Sequence, residues 1–328
     1  MKAIALISGG LDSILAAKLI ERQGIEVIYL NFKIPFFHKD KISAEEKIAK
    51  NYGIDLKSVD ISGEFLKMLE KPLYGFGSNM NPCIDCKILM LKKAKQLMKD
   101  WDAGFVVTGE VLGQRPMSQN RDSLELIEKE SGLEDLLVRP LSAKLLGATI
   151  PEREGWIDRE KLKNYSGRSR LEQMKLAKEL GVENYPAPAG GCLLTDPEFS
   201  KRLRELIEHK ELTKDNVELL KVGRHFRLRP ETKLIVGRNQ AENEELERLG
   251  CDGDYLLYPA LDMAGPTALG RGKFTDESVS LSCKIVCRYC DLNGKMETEI
   301  LYRKLPQKDE KALKVKAIEN ATLAGLRA

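Results

Sequence analysis

The sequence predicts an α/β domain, a doubly wound parallel sheet, followed by a smaller α+β or β-rich domain. Three observations predict this. Apolar runs bounded by turn residues alternate with segments of helical period through the first half of the chain, which implies a parallel sheet with helices on both faces. The stretch SGGLDS (8–13) lies between a buried-strand pattern and a helical one. After Pro197 short strand-like runs separated by turn residues replace that alternation. A chain of 328 residues is long enough for two domains.

Residues 2–7 (KAIALI) read as a buried strand, and SGGLDS as a turn. Ile14, Leu15, Leu19 and Ile20 have helical period, ended by Gly24. EVIYLNF (26–32) is a second strand. SAEEKIAKNYG (43–53) reads as a capped helix, with Ser43 and Lys47 flanking an acidic first turn and Gly53 at the C-cap. LKSVDIS is a third strand. Residues 71–85 read as loop, followed by a helix from about Cys86 to Lys99. AGFVVTGEV (103–111) is a buried strand and LLVRPLS (136–142) the last one of this sheet. The run 157–181 is charged and helical, and PAPAGGCLLTDP (186–197) is a Pro/Gly loop. These pieces define a first domain over 1–197. Amphipathic stretches at 198–210 and 214–221 suggest a helical connector, 198–222. The runs HFRLRPETKLIVG, DYLLYPAL, SVSLSCKIVCRYC and METEILYRKLP read as short strands of a third segment, 223–328.

Composition narrows the function classes. A net charge of +3 is no global basic signature, so a nucleic-acid surface has to be a local patch. The first residues lack the length and cleavage site of a signal peptide, and no apolar run is long enough to span a membrane. The expectation is a cytoplasmic protein, whose seven cysteines are reactive or metal-binding rather than disulfide-bonded.

A buried strand, a Gly-rich turn and a helix start form the local plan of a phosphate site. Helix N-terminal N–H groups and the dipole attract an anion, and glycines admit it to the backbone. Ser8 and Ser13 add hydroxyls beside Gly9, Gly10 and Leu11. Asp12 suits such a site only if Mg²⁺ accompanies the anion. No lysine follows the glycines, so this is not a Walker A loop. Asn31 and Phe32, expected just after the second strand, and Thr108 and Gly109, ending a later one, lie on the edge where doubly wound sheets bind nucleotides. Gly109 would allow close approach of a ligand. Gln114, Arg115, Ser118 and Gln119 form a polar loop just beyond.

The cysteines fall into two groups. Cys83 and Cys86 (NPCIDCK) lie at a helix start, and Cys192 lies in a distant Gly-rich loop. Three such thiolates would ligate three irons of a [4Fe-4S] cluster and leave the fourth iron open; the alternative is persulfide and disulfide exchange. Asp85, between the first two, is the nearby general-base candidate. None of His38, His209 and His225 sits in a catalytic constellation. In the second group, Cys251, Cys283, Cys287 and Cys290, the predicted strand would send Cys283 and Cys287 to one face and Cys290 to the other. A zinc site or ordinary core residues are the readings there.

SGGLDS resembles the pyrophosphate loop of the PP-loop ATP pyrophosphatase superfamily (adenine nucleotide alpha hydrolase-like fold). With NPCIDCKILM, VVTGEVLGQRPMSQ, RPLSAKLL and YPAPAGGCLLTDP, spread over roughly 1–197, the chain looks like the tRNA thiouridine synthases, near their tRNA-specific 2-thiouridylase branch. In that branch the two cysteines correspond to Cys86 and Cys192, and an aspartate stands where this chain has Cys83. Three cysteines instead resemble the iron–sulfur-dependent tRNA thiolases.

The resemblance implies an ATP-dependent tRNA sulfurtransferase. It would use ATP and Mg²⁺, a three-cysteine [4Fe-4S] cluster and a sulfur donor (sulfide or a persulfide or sulfur-carrier protein). A persulfide enzyme without a cluster and an amidating ligase on another substrate stay open. KLIVGRNQAENEELERLG and LLYPALDMAGPTALGRG resemble the RNA-binding domain of NFACT-type proteins. Arg168 and Arg170, and Lys221, Arg224, Arg227 and Arg229 around Phe226, are the expected RNA contacts.

Overall fold

The computed structural model describes residues 1–37, 53–183, 185, 192–260, 263–292, 294 and 296–328. The helix expected over 43–53 lies outside these residues, Gly53 apart, as do His38 and residues 186–191 of the 186–197 loop. The chain divides into two compact units, Met1–Asp196 and Pro197–Ala328.

The first unit is built on a parallel five-stranded sheet in the order β3-β2-β1-β4-β5. The strands are β1 (Lys2–Leu6), β2 (Glu26–Lys33), β3 (Leu56–Asp60), β4 (Phe105–Val107) and β5 (Leu137–Val138). Between and after them run α1 (Leu11–Glu21), α2 (Ser62–Glu70), α3 (Cys83–Asp100), α4 (Arg121–Ser131), the short α5 (Ile150–Arg153) and α6 (Leu171–Leu180). Central β1 pairs with β2 from Lys2–Glu26 to Leu6–Leu30 and with β4 from Ala3–Phe105 to Ala5–Val107. Its residues Ala3, Ile4 and Ala5 are all buried, as expected of a strand covered on both faces. Ala3 and Ala5 share a core with Ile14 and Leu15 of α1 and Leu176 and Ala177 of α6. Helix α3 lies against β4. Consecutive β1–α1–β2 units therefore bring the C-terminal ends of the parallel strands to one edge.

Several boundaries differ from expectation. Asn31 and Phe32 lie inside β2, as the 26–32 run predicts, and not beyond its end as their expected place on the nucleotide edge required. Helix α3 begins at Cys83, not near Cys86, because Pro82 serves as N-cap and Cys86 N–H already closes a bond to Pro82 O (2.8 Å). The charged run 157–181 is not one helix: a 3₁₀ turn at Arg159–Lys161 and α6 are separated by extended chain.

The second unit holds α7 (Pro197–Glu208), α8 (Lys214–Leu219), β6 (Arg224–Arg229), β7 (Thr232–Val236), α9 (Gln240–Leu249), β8 (Tyr255–Pro259), β9 (Ala268–Gly272), α10 (Asp276–Arg288), β10 (Glu297–Lys304), β11 (Lys311–Lys316) and α11 (Asn320–Gly325). Its antiparallel sheet has the order β11-β10-β8-β9-β7-β6. One face carries Phe226, Leu234 and Val236 onto α10, and the other carries Ile235 and Leu256 onto Leu219 and Leu246. The stretch SVSLSCKIVC, expected as a strand, is helix α10. Thr275 and Ser278 form a capping box at its start, and Val279, Cys283, Val286 and Cys287 repeat with helical period on its buried side. Cys283 and Cys287 are thus one turn apart in the core. No helix among the described residues is long and apolar enough to cross a membrane.

Candidate active site

The turn after β1 is shaped by its own residues. Gly9 takes φ +74°, a conformation that favours glycine. Ser13 Oγ donates to Gly10 O (2.7 Å) and accepts from Ser8 N–H (3.3 Å). The Ser13 hydroxyl is therefore a loop brace rather than an available ligand donor. Leu11 is fully buried, so it offers the site only backbone, while Ser8 is exposed at the rim. Asn31, also buried, donates from Nδ2 to Ile7 O (2.9 Å) and holds the end of β1 to β2; Phe32 belongs to the core.

Gly109 has a different role from the expected close approach to a ligand. A Cβ there would fall 2.4 Å from both Asp12 C and Ser13 N. The missing side chain lets the β4 edge press on the turn backbone. Thr108, also on this edge, is buried, and its Oγ1 donates to Glu110 Oε2 (3.2 Å).

Asp12 lies on the first turn of α1. Its Oδ2 accepts from Gln114 Nε2 (3.0 Å), and Arg170 Nη2 lies 3.8 Å from its Oδ1. Both Asp12 Oδ1 and Arg170 Nε are enclosed without a hydrogen-bond partner. An orphaned carboxylate oxygen beside helix N–H groups and an arginine fits a Mg²⁺–phosphate pair in kind. Arg170 is delivered here because Gly167 N–H bonds Leu112 O (2.7 Å), holding the 165–170 chain against the Gln114 loop. Arg168 is exposed at the same rim. In that loop Ser118 Oγ and Gln119 Oε1 are also enclosed and orphaned.

The residue after Gly109 escaped the sequence reading. Glu110 is buried and forms ion pairs with Lys87 of α3 and with Arg139 Nε (3.0 Å), which follows β5. Arg139 Nη1 also reaches Glu128 (2.6 Å) and its Nη2 donates to Leu124 O (3.0 Å). Burial opposes ionisation of Glu110, but Lys87 and Arg139 outweigh it and hold its pKa at about 2. Thr108–Gly109–Glu110 thus touches the SGGLDS turn at one residue and the cysteine helix at the next.

Cys83 and Cys86 occupy the first turn of α3, both half-buried. Cys192, also half-buried, bridges Phe37, and the chain after it is tied to the approach of α3: Met80 N–H donates to Leu194 O (3.1 Å) and Asn79 Nδ2 to Thr195 O (2.8 Å). The structure therefore brings the three cysteine-bearing segments together. Among the described residues, no three Cys, His, Asp or Glu side chains converge closely enough to hold a metal as placed. Asp85 has other work: its two oxygens accept from Leu73 N–H (2.8 Å) and Tyr74 N–H (3.1 Å), pinning the preceding loop. That corrects its reading as a general base.

In the second unit most of the expected RNA contacts are engaged internally. Lys221 pairs with Glu218 (2.7 Å), Arg227 with Glu205 and Glu211, and Arg229 with Glu277. Phe226 is fully buried in the core. Arg224 alone of the four has no carboxylate partner among the described residues. Its guanidinium lies 4.7 Å from the Tyr289 ring centroid. Burial pushes Cys283 and Cys290 up to about 12 and Cys287 upward, so these three belong to the apolar core rather than to a thiolate site, while Cys251 is exposed.

Fold and site together define an α/β domain, with a glycine-containing turn after its central strand and three cysteine-bearing segments drawn together, and an antiparallel α+β domain. Residues 1–144 match the family model of the thiamine biosynthesis protein ThiI, and residues 223–325 match that of the NFACT protein RNA binding domain. A probable tRNA sulfurtransferase of Thermococcus kodakarensis is 29% identical over 169 residues, 47% of this chain and 44% of that protein. A probable tRNA sulfurtransferase of Methanocaldococcus jannaschii is 31% identical over 142 residues, 43% of this chain and 36% of that protein. The tRNA-specific 2-thiouridylase MnmA of Campylobacter lari is 29% identical over 116 residues, 33% of this chain and 34% of that one. The chain thus spans less than half the length of these relatives. A predicted tRNA methyltransferase subunit of Methanocaldococcus jannaschii aligns at TM-score 0.34 and 15% identity, over 59% of this chain and 96% of that one.

Proposed function

We propose that this chain is an ATP-dependent tRNA sulfurtransferase. The observation that carries the reading is the Thr108–Gly109–Glu110 stretch, which joins the anion-cradling turn to the cysteine helix within three residues. The kinship of 1–144 with the ThiI family and of 223–325 with an RNA-binding domain supports it.

ATP would lie over the C-terminal edge of the sheet, with its pyrophosphate on the N–H groups of residues 9–13 and Mg²⁺ on Asp12. Arg170, released from Asp12 by the metal, would meet phosphate charge. A uridine carbonyl oxygen attacks the α-phosphorus and the bond to pyrophosphate breaks, leaving an adenylated carbonyl. A sulfur nucleophile then adds to that carbon and AMP departs. The target base must leave its stack for this, so a loop or flipped uridine is the substrate.

Cys83, Cys86 and Cys192 would handle the sulfur. The segments that carry them lie together, and three thiolates would suit three irons of a [4Fe-4S] cluster, whose open iron would supply bound sulfide. The second reading is persulfide chemistry: one of Cys86 and Cys192 carries a persulfide whose terminal sulfur adds to the adenylated carbon as AMP departs, and the other thiolate then breaks the S–S bond to form a disulfide. Iron and acid-labile sulfide analysis of anaerobically purified protein separates the two. The proposal as a whole is tested by AMP and pyrophosphate formation from ATP with and without tRNA. Formation that requires tRNA supports it, and no AMP under any tRNA condition overturns it.

A further inference from the structure

We propose that the second unit reads one unstacked ribonucleotide of its RNA in the cavity beside Arg224 and Tyr289. The inference rests on the reading of 223–325 as an RNA-binding domain. The cavity has a volume of about 370 Å³, within the range of small-ligand sites. Arg224, Asn239, Asn243, Tyr289 and Asp291 are among its lining residues.

Three features make this a nucleotide site rather than a general basic surface. Of Lys221, Arg224, Arg227 and Arg229, only Arg224 is left without an acidic partner among the described residues. Its plane is fixed by a hydrogen bond from Nη1 to Gly237 O (3.2 Å) and by the Tyr289 ring. A guanidinium fixed in this way is a stacking platform for a base. Asn243 Oδ1 and the Tyr289 hydroxyl are enclosed yet unpartnered among the described residues, a cost that a hydrogen-bonding ligand would remove. The Asp291 carboxylate in the same cavity argues against a bare phosphate. It suits the amine of a base or a ribose 2′-hydroxyl, both hydrogen-bond donors.

The test is fluorescence anisotropy of labelled oligouridylate on the full chain, at fixed salt, with a duplex of equal length as comparison. Arg224→Ala and Tyr289→Leu should each weaken binding roughly tenfold, and Arg224→Ala should lower the salt slope by about one. Arg224→Lys keeps the charge and loses the plane, so it should restore the salt slope but not the affinity. Tyr289→Phe, which keeps the ring, separates loss of stacking from misfolding and should bind more tightly than Tyr289→Leu. Arg229→Ala should change affinity by less than about twofold. If the wild-type chain binds RNA and Arg224→Ala matches it, the pocket is wrong while the RNA reading survives. If the wild-type chain binds neither oligouridylate nor tRNA, the RNA reading itself fails and the pocket falls with it.

Discussion

Gly109 lies against the backbone of Asp12 so closely that a Cβ on it would sit 2.4 Å from the Asp12 carbonyl carbon. Asp12 is in the first turn of α1 and Gly109 lies two residues beyond the end of β4, so the contact is backbone against backbone. Gly109→Ala should therefore displace the turn and cost about 1–3 kcal/mol, as overpacking does. On the proposed function it should also abolish AMP formation. A melt and an AMP assay on the same preparation check both, and a variant with unchanged melting and turnover would contradict this geometry.

Asp12→Asn tests the cation role separately. The amide preserves size and removes the charge. The expected outcome is a large rise in the Mg²⁺ concentration needed for half-maximal turnover, with little change in melting temperature. Arg170→Ala should slow turnover without that rise.

The Lys87–Glu110–Arg139 network makes a pH prediction. Folding lowers the Glu110 pKa from an ordinary 4.5 to about 2. A depressed carboxyl contributes stability that is fully present above the unfolded pKa and is lost as pH falls from about 4.5 toward 2. By linkage the contribution is about 3 kcal/mol. Glu110→Gln should be less stable at neutral pH and should lose less stability on acidification in that window. Unfolding free energies at a series of pH values decide the point; parallel curves for the two proteins would refute it.

Thiol mapping distinguishes the two cysteine groups. In protein stripped of any bound metal, Cys83, Cys86, Cys192 and the exposed Cys251 should react with iodoacetamide at mildly alkaline pH. Buried Cys283 and Cys287 should react only on unfolding. Peptide mass spectrometry reads the pattern. Rapid labelling of Cys283 in the folded chain would show that α10 is misplaced.

The parallel sheet was legible because its cues are local: an apolar strand, SGGLDS and a largely apolar helix follow one another from the first residues to Glu21. So was the candidate site in outline, since SGGLDS and the Cys-x-x-Cys pair are short motifs. What escaped was long-range. Glu110 looked like the residue after a Thr-Gly, and its partners stand 23 and 29 positions away. Gly109 promised room for a ligand, but the space is filled by backbone from residues 12 and 13. Arg227 and Arg229 read as a basic strand because sequence does not reveal Glu205, Glu211 and Glu277 across from them. In α10, alternating Val279, Leu281, Cys283 and Ile285 mimicked a strand, while the capping box at Thr275 and the Val279–Cys283–Val286–Cys287 stripe decided for helix.

The most direct test incubates the anaerobically purified chain with unmodified tRNA, ATP, Mg²⁺ and sulfide, then analyses the digested nucleosides by mass spectrometry. The account predicts a thiolated uridine that appears only with ATP, accompanied by AMP in equal amount, and that disappears when Cys83, Cys86 and Cys192 are all replaced by alanine. ATP cleavage with no thiolated nucleoside, or thiolation that survives the triple replacement, would contradict it.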